Sequence, residues 1–277
     1  MGAIIWLASY PKSGNTWMRA LLHNLLRNPD RPTPINDIDK FSLGESVASW
    51  YYQFTEKKAP DLTGEELAEL RPKVHRSMMG AHPDSVFVKT HSFLGEACGR
   101  PIHTMECTAG AIYVVRNPLD VCSSFANHFG ISYDNAIAAM ADEQGTGSPT
   151  DSNVTEYLGS WSKNVRSWTV PHPQIKVVRY EDLLERPLKT FGGVAQFLGL
   201  NPPKDRLKKA IKFSSFKELS SQESKAGFKE KSVHAKRFFN AGKKDQWREK
   251  LTEEQIRRIV EDHREQMERF KYVPVGY

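Results

Sequence analysis

The sequence predicts an α/β fold: a single domain over residues 1–277, with a central parallel sheet flanked by helices. Three observations carry this expectation. Continuous apolar runs stand where strands buried on both faces would stand. The two strongest runs pass directly into Pro-containing loops. Each loop then opens an amphipathic helix, so strand, loop and helix recur in order. The first run is Ala3–Ala8, and Ser9–Asn15, with Pro and Gly, is the loop after it. Met18, Leu21, Leu22, Leu25 and Leu26 follow at i, i+3, i+4, i+7 and i+8, one face of a helix that ends before Asn28-Pro29. Ser85–Val88 is a second strand and Ala111–Val115 the third and strongest. The third enters Arg116-Asn117-Pro118, where proline suits a first helical position because its missing N–H would have no partner there. Ile175–Tyr180 is a fourth strand, with an acidic turn and a helix through Gly199 behind it. After Pro202 the pattern is mostly helical, interrupted by a basic loop over 227–245. The last helix carries Ile256, Ile259, Val260, His263, Met267 and Phe270 on one stripe. Two segments fit the alternation poorly and read as insertions. One spans about 28–82, polar and Pro-containing, with Trp50-Tyr51-Tyr52. The other spans about 127–153 and contains the flexible-loop signature Gln144–Pro149.

Composition narrows the function classes. With 277 residues, 39% of them hydrophobic and 26% charged, the chain can bury a core and is neither disordered nor fibrous. The net charge of +6 favours an anionic partner. Its densest basic stretch, 225–250, suits a compact polyanion such as a nucleotide or is simply a solvated surface. A nucleic-acid partner is not expected. Cys98, Cys107 and Cys122 are odd in number and match no zinc spacing. The opening apolar stretch is too short for a bilayer, and no secretory signal pattern precedes it. The expectation is a cytoplasmic protein with reduced thiols, no membrane contact and no metal.

Three motifs carry chemistry. Tyr10-Pro11-Lys12-Ser13-Gly14-Asn15-Thr16-Trp17 lies between a buried strand and a helix. A helix N-terminus offers unpaired N–H groups and a positive dipole end. Gly14 permits close approach of the backbone, Lys12 adds charge, and Ser13, Asn15 and Thr16 add donors, which together describe an anion site. It is not a Walker loop, because Lys12 precedes the glycine. Arg116-Asn117-Pro118-Leu119-Asp120-Val121-Cys122-Ser123-Ser124 occupies a second strand-to-helix junction. Ligands of open α/β sheets bind at such carboxyl ends, and Arg116 supplies a fork suited to phosphate. Ser124 lies eight residues, about two helical turns, beyond Arg116 and can face the same side. Phe87-Val88-Lys89-Thr90-His91 ends the second strand. There Lys89 and His91 project together if the extended form persists, and a neutral imidazole can take a proton near pH 7.

In this order and separation, these motifs resemble the cytosolic-type sulfotransferases, with a P-loop-like phosphosulfate-binding loop, and the similarity runs through most of the chain. The resemblance implies transfer of a sulfuryl group from 3′-phosphoadenosine-5′-phosphosulfate (PAPS) to a hydroxyl or amine of a small molecule, leaving adenosine 3′,5′-bisphosphate (PAP) and needing no metal. It also implies roles. Lys12, Ser13, Gly14, Asn15, Thr16 and Trp17 hold the 5′-phosphosulfate, with Trp17 on the adenine. Arg116 and Ser124 bind the 3′-phosphate. Tyr180, Ser214 and Phe216 complete the adenine pocket. His91 is the general base of an in-line displacement, with Lys89 and Lys12 at the transferring group. Asn240, Ala241 and Gly242 align with the family's C-terminal phosphate loop. That loop usually reads Arg-Lys-Gly-x-x-Gly-Asp-Trp. Here Asn240 and Ala241 replace its two cations, and Lys236, Arg237, Lys243 or Lys244 are the candidates to supply the charge. The family's short dimerisation motif is not matched, which leaves the oligomeric state open. Trp50, Tyr51, Tyr52, Phe93, Phe125, His128 and Phe129 are candidates to line an acceptor pocket or are plain core. The segment 127–153 is a candidate lid. A nucleotide kinase and a non-catalytic nucleotide-binding protein are the rival readings. The first needs Walker spacing, and the second has no use for the Lys89/His91 pair.

Overall fold

The computed structural model describes residues 2–239 and 242–277. Five strands form the central sheet: β1 (Ile4–Ser9), β2 (Ser42–Gly44), β3 (Val86–Thr90), β4 (Thr108–Val115) and β5 (Ile175–Arg179). Ten helices of six residues or more accompany them among the described residues: α1 (Asn15–Arg27), α2 (Gly64–Met79), α3 (Pro118–Phe129), α4 (Tyr133–Ala141), α5 (Trp161–Trp168), α6 (Tyr180–Glu185), α7 (Pro187–Phe197), α8 (Lys204–Phe213), α9 (Phe216–Ala226) and α10 (Glu253–Phe270). The sheet order is β2-β3-β1-β4-β5. β3 runs parallel to β1 from Ile4↔Val86 to Ala8↔Thr90 and parallel to β2 from Ser42↔Phe87 to Gly44↔Lys89. The expected α/β class with a central parallel sheet is what the chain adopts.

Close packing divides the chain into two compact units, neither continuous in sequence. The first comprises Met1–Tyr10, Ser42–Tyr113 and Met140–Val177; the second comprises Pro11–Phe41, Val114–Ala139 and Val178–Tyr277. In the first unit β1 is buried almost throughout, as its apolar run requires. β3 instead alternates, with Val86, Val88 and Thr90 buried and Phe87 and Lys89 half-buried. Trp6 Nε1 donates to Thr108 Oγ1 at 2.9 Å and Tyr113 OH to Asn164 Oδ1 at 2.9 Å, so the polar ends of large core side chains are satisfied.

The segment 28–82 is not a simple insertion. It supplies the edge strand β2 and the 16-residue helix α2. Thr63 and Glu66 form a capping box at the start of α2: Thr63 Oγ1 accepts from the Glu66 N–H and Glu66 Oε2 from the Thr63 N–H. The buried face of α2 carries Arg71, whose Nε donates to the buried Glu45 carboxylate at 3.0 Å. The 127–153 segment is also more regular than its composition suggests. It contains α4, and Thr146–Gly147 pairs antiparallel with Glu156–Tyr157. Gly147 serves this pairing by leaving room for Glu156, whose Cβ would lie 3.4 Å from a Cβ at that position.

The second unit is helical. α1 buries Met18, Leu21, Leu22 and Leu25, the stripe read from its spacing. Trp17, Phe216 and Phe238 pack against a core cluster of Ala20, Ile35, Ile38, Leu219, Phe228 and Phe239. α10 starts at a capping box of Thr252 and Gln255 and buries Ile256, Ile259, Val260, His263 and Met267.

Candidate functional site

In the second unit the first two motifs meet. Lys12 and Gly14 both take positive φ, 67° and 108°, which turns the chain tightly into α1. Gly14 is the N-cap, and no side chain caps the helix there, so the first-turn amides keep the donor character that favours anions. Ser13 is fully buried, and its Oγ has no hydrogen-bond partner; Asn15 and Thr16 are buried in the first turn. Arg116 reaches this loop, its Nη1 donating to the carbonyl of Lys12 at 3.0 Å while its buried Nε has no partner. Buried donors without partners are costly unless a ligand or water meets them. Two such donors beside an uncapped helix N-terminus fit a bound phosphate-type anion. Lys12 Nζ lies 3.4 Å from His128 Nδ1 and 3.9 Å from the Phe238 ring centroid.

An aromatic wall adjoins this loop. The Arg116 guanidinium stands 4.3 Å from the Tyr180 ring centroid, and Trp17 meets Tyr180 edge-on at 5.5 Å. Gly14 is required here, because a Cβ would lie 2.7 Å from Tyr180 Cδ2. Burial pushes the Tyr180 phenol above its ordinary range, while Arg116 opposes the shift. Gly242 (φ 59°) lies against the Phe216 ring, where a Cβ would come within 2.2 Å of it. Lys12, Gly14, Trp17, Arg116 and Tyr180 are thus linked by direct contacts, and Phe216 shares the core cluster beside Trp17. Ser124 is half-buried on α3. Ser214 is buried, and its hydroxyl donates to the Ala210 carbonyl at 2.7 Å. Asn240 and Ala241 lie outside the described residues.

Sequence reasoning assigned no role to three buried carboxylates of this unit. Asp120 accepts the backbone N–H groups of Asp245 at 2.8 Å and Trp247 at 3.1 Å. Glu181 accepts the Asn117 N–H at 3.0 Å and the Tyr272 hydroxyl at 2.7 Å. Glu223 accepts the N–H groups of Phe238 at 2.6 Å and Phe239 at 2.9 Å. Asp120 belongs to the Arg116–Ser124 motif quoted above and Glu181 to the acidic turn after the fourth strand, so the signal was there. Among the loop cations considered as replacements, Lys244 is ion-paired with Glu185.

The third motif lies in the first unit. β3 ends at Thr90, so Lys89 closes the strand and His91 stands just beyond it. His91 Nδ1 approaches the Ser9 carbonyl at 2.7 Å, with Ser9 Oγ at 3.4 Å. A carbonyl only accepts, so Nδ1 carries a proton, and in the neutral form of the ring the lone pair is on Nε2. The His91 carbonyl accepts from Asn164 Nδ2 at 2.9 Å, which fixes the backbone behind the ring. Of the suggested acceptor-pocket aromatics, Tyr51 is fully buried and donates to Glu45, whereas Tyr52 and Phe129 are exposed.

A family model for the sulfotransferase domain matches residues 4–271. The chain is 25% identical over 223 residues to sulfotransferase 1A1 of Rattus norvegicus, covering 77% of this chain and 65% of that protein. It is 25% identical to cytosolic sulfotransferase 12 of Arabidopsis thaliana, over 93% of this chain and 76% of that protein. The structure is similar in fold to retinol dehydratase in complex with androsterone and the inactive cofactor PAP. That match has a TM-score of 0.66 and 18% identity and covers 95% of this chain and 80% of the other. Among the described residues no group of three or more His, Cys, Asp or Glu is placed to hold a metal ion. No helix among them is long and apolar enough to cross a membrane.

Proposed function

Since the chain belongs to the sulfotransferase domain family, we propose that it transfers a sulfuryl group from PAPS to a hydroxyl or amine of a small-molecule acceptor. The observation that carries this reading is the pair of buried, unpartnered donors, Ser13 Oγ and Arg116 Nε, beside Lys12 and the uncapped start of α1. Lys12 to Thr16 hold the 5′ end of the nucleotide. Trp17, Tyr180 and Phe216 offer flat faces to its base. Arg116 and Ser124 take the 3′-phosphate with the backbone of Gly242. PAPS supplies a sulfuryl group on a good leaving group, the 5′-phosphate. His91 Nε2 takes the acceptor proton as the acceptor oxygen or nitrogen bonds to sulfur and the bond from sulfur to the bridging phosphate oxygen breaks. Lys12 and Lys89 stabilise the charge gathering on that oxygen, a contribution of a few kcal/mol when the cation is pre-placed. The whole chain acts as one catalytic domain, 1–277. Three free cysteines suit a reducing, cytoplasmic setting.

The test is incubation with PAPS carrying radiolabelled sulfur and a panel of phenols, alcohols and amines. Labelled product together with PAP supports the reading. Phosphoryl transfer from ATP instead would make the protein a kinase. Tight PAP binding without transfer to any acceptor would make it a binding protein.

A further inference from the structure

The stretch that aligns with the family's C-terminal phosphate loop lacks that loop's two cations, yet the structure invests two buried carboxylates in holding its flanks. Asp120 is 1% exposed and Glu223 7%. Among the described residues neither spends its carboxylate on an ion pair; each accepts two backbone N–H groups, at 245 and 247 for Asp120 and at 238 and 239 for Glu223. Such charge-assisted bonds are short and strong. Both fastened segments bear on candidate nucleotide residues. Phe238 receives the Lys12 ammonium on its ring. Gly242, three residues before Asp245, lies against Phe216. Asp245 itself holds φ 61°, a left-handed conformation that a non-glycine residue adopts at a cost unless its surroundings fix it.

We propose that Asp120 and Glu223 are positioning residues that clamp 238–239 and 242–247 and thereby set the discrimination between nucleotides with and without a 3′-phosphate. Preorganised backbone donors bind without the entropy cost of ordering a loop on each encounter. This offsets part of the charge that the loop lacks. The inference rests on the nucleotide reading above, and it assigns the loop a mechanism that the sequence pattern does not contain.

Electrostatics alone predicts the opposite sign for the decisive variant. Asp120 interacts coulombically with Arg116, so Asp120→Asn removes a negative charge beside the 3′-phosphate ligand and by charge alone tightens PAP binding. If Asp120 positions the loop, Asp120→Asn weakens it, because the amide keeps one acceptor oxygen but places an NH2 group where the other backbone N–H points. The experiment is calorimetry with PAP and with adenosine 5′-monophosphate on wild type, Asp120→Asn and Glu223→Gln, below the melting temperature of each. Wild type is expected to prefer PAP. Each variant is expected to lose about tenfold or more in PAP affinity, the worth of one charge-assisted bond, with monophosphate affinity changed by less than about threefold. A parallel fall for both nucleotides, or PAP binding that is unchanged or tighter in both variants, overturns the positioning role and leaves the nucleotide reading standing. A wild type with no preference for PAP overturns the nucleotide reading and the clamp with it. If Asp120→Asn does not fold, Glu223→Gln decides alone by the same criterion.

Discussion

Gly14→Ala introduces a methyl where the backbone and its neighbour leave no room. Gly14 sits at φ 108°, ψ 15°, and an L-residue held at positive φ loses about 1–2 kcal/mol. The new Cβ would lie 2.7 Å from Cδ2 and 3.1 Å from Cε2 of Tyr180. That ring is buried, with Arg116 4.3 Å and Trp17 5.5 Å from its centroid, so retreat disturbs two further side chains. Overpacking of this kind adds about 1–3 kcal/mol. The sum, about 2–5 kcal/mol, lowers the melting temperature of a chain this size by about 3–9 °C. The shift of Arg116 and of the loop amides also weakens PAP binding. Thermal unfolding followed by circular dichroism, with calorimetry at a temperature where the variant is folded, reads both effects. A variant that melts within about 2 °C of wild type and binds PAP normally refutes the reasoning about this turn.

Glu181→Gln should destabilise the fold by about 1–3 kcal/mol, since the buried carboxylate receives both the Asn117 N–H and the Tyr272 hydroxyl. A urea midpoint equal to wild type contradicts that. His263 is buried in α10, and burial lowers its pKa from 6.5 to about 4. A depressed folded-state pKa means that this stability is complete above pH 6.5 and is lost as pH falls towards 4. At the lower end the loss amounts to about 3 kcal/mol. His263→Gln should therefore flatten the fall in melting temperature between pH 6.5 and 4. An identical pH profile in the variant counts against the assignment. His23, lowered to about 4, His75, lowered to about 3, and His103, held well below 6.5, all mainly by burial, contribute to the same slope in both proteins and make up part of what remains.

The sheet and the anion loop were legible because each rests on a local signal. Ala3–Ala8 reads as a doubly buried strand, and Pro118 marks the start of α3 whatever surrounds it. β2 was not legible, because three residues at a half-buried edge carry no period. α2 was legible in principle from Thr63-Gly64-Glu65-Glu66, a capping-box spacing hidden within a polar stretch. The hairpin at Thr146 and Tyr157 joins residues far enough apart that Gly and Pro dominate the local pattern. Residue types announced Lys12, Arg116 and His91 as candidates. The Ser9 carbonyl that sets the His91 tautomer and the backbone amides held by Asp120 and Glu223 are long-range partners, set by tertiary structure. Motif letters carry no trace of them.

Single-turnover transfer from PAPS bearing radiolabelled sulfur, compared between wild type and His91→Ala, bears most directly on the proposed chemistry. Wild type should convert bound PAPS and a reactive acceptor to labelled product and PAP in equal amounts. His91→Ala should bind PAP within a few-fold of wild type yet transfer about 10²–10⁴ times more slowly. If the variant keeps more than about a tenth of the wild-type rate, or if wild type forms no labelled product with any acceptor, transfer driven by a His91 base is wrong.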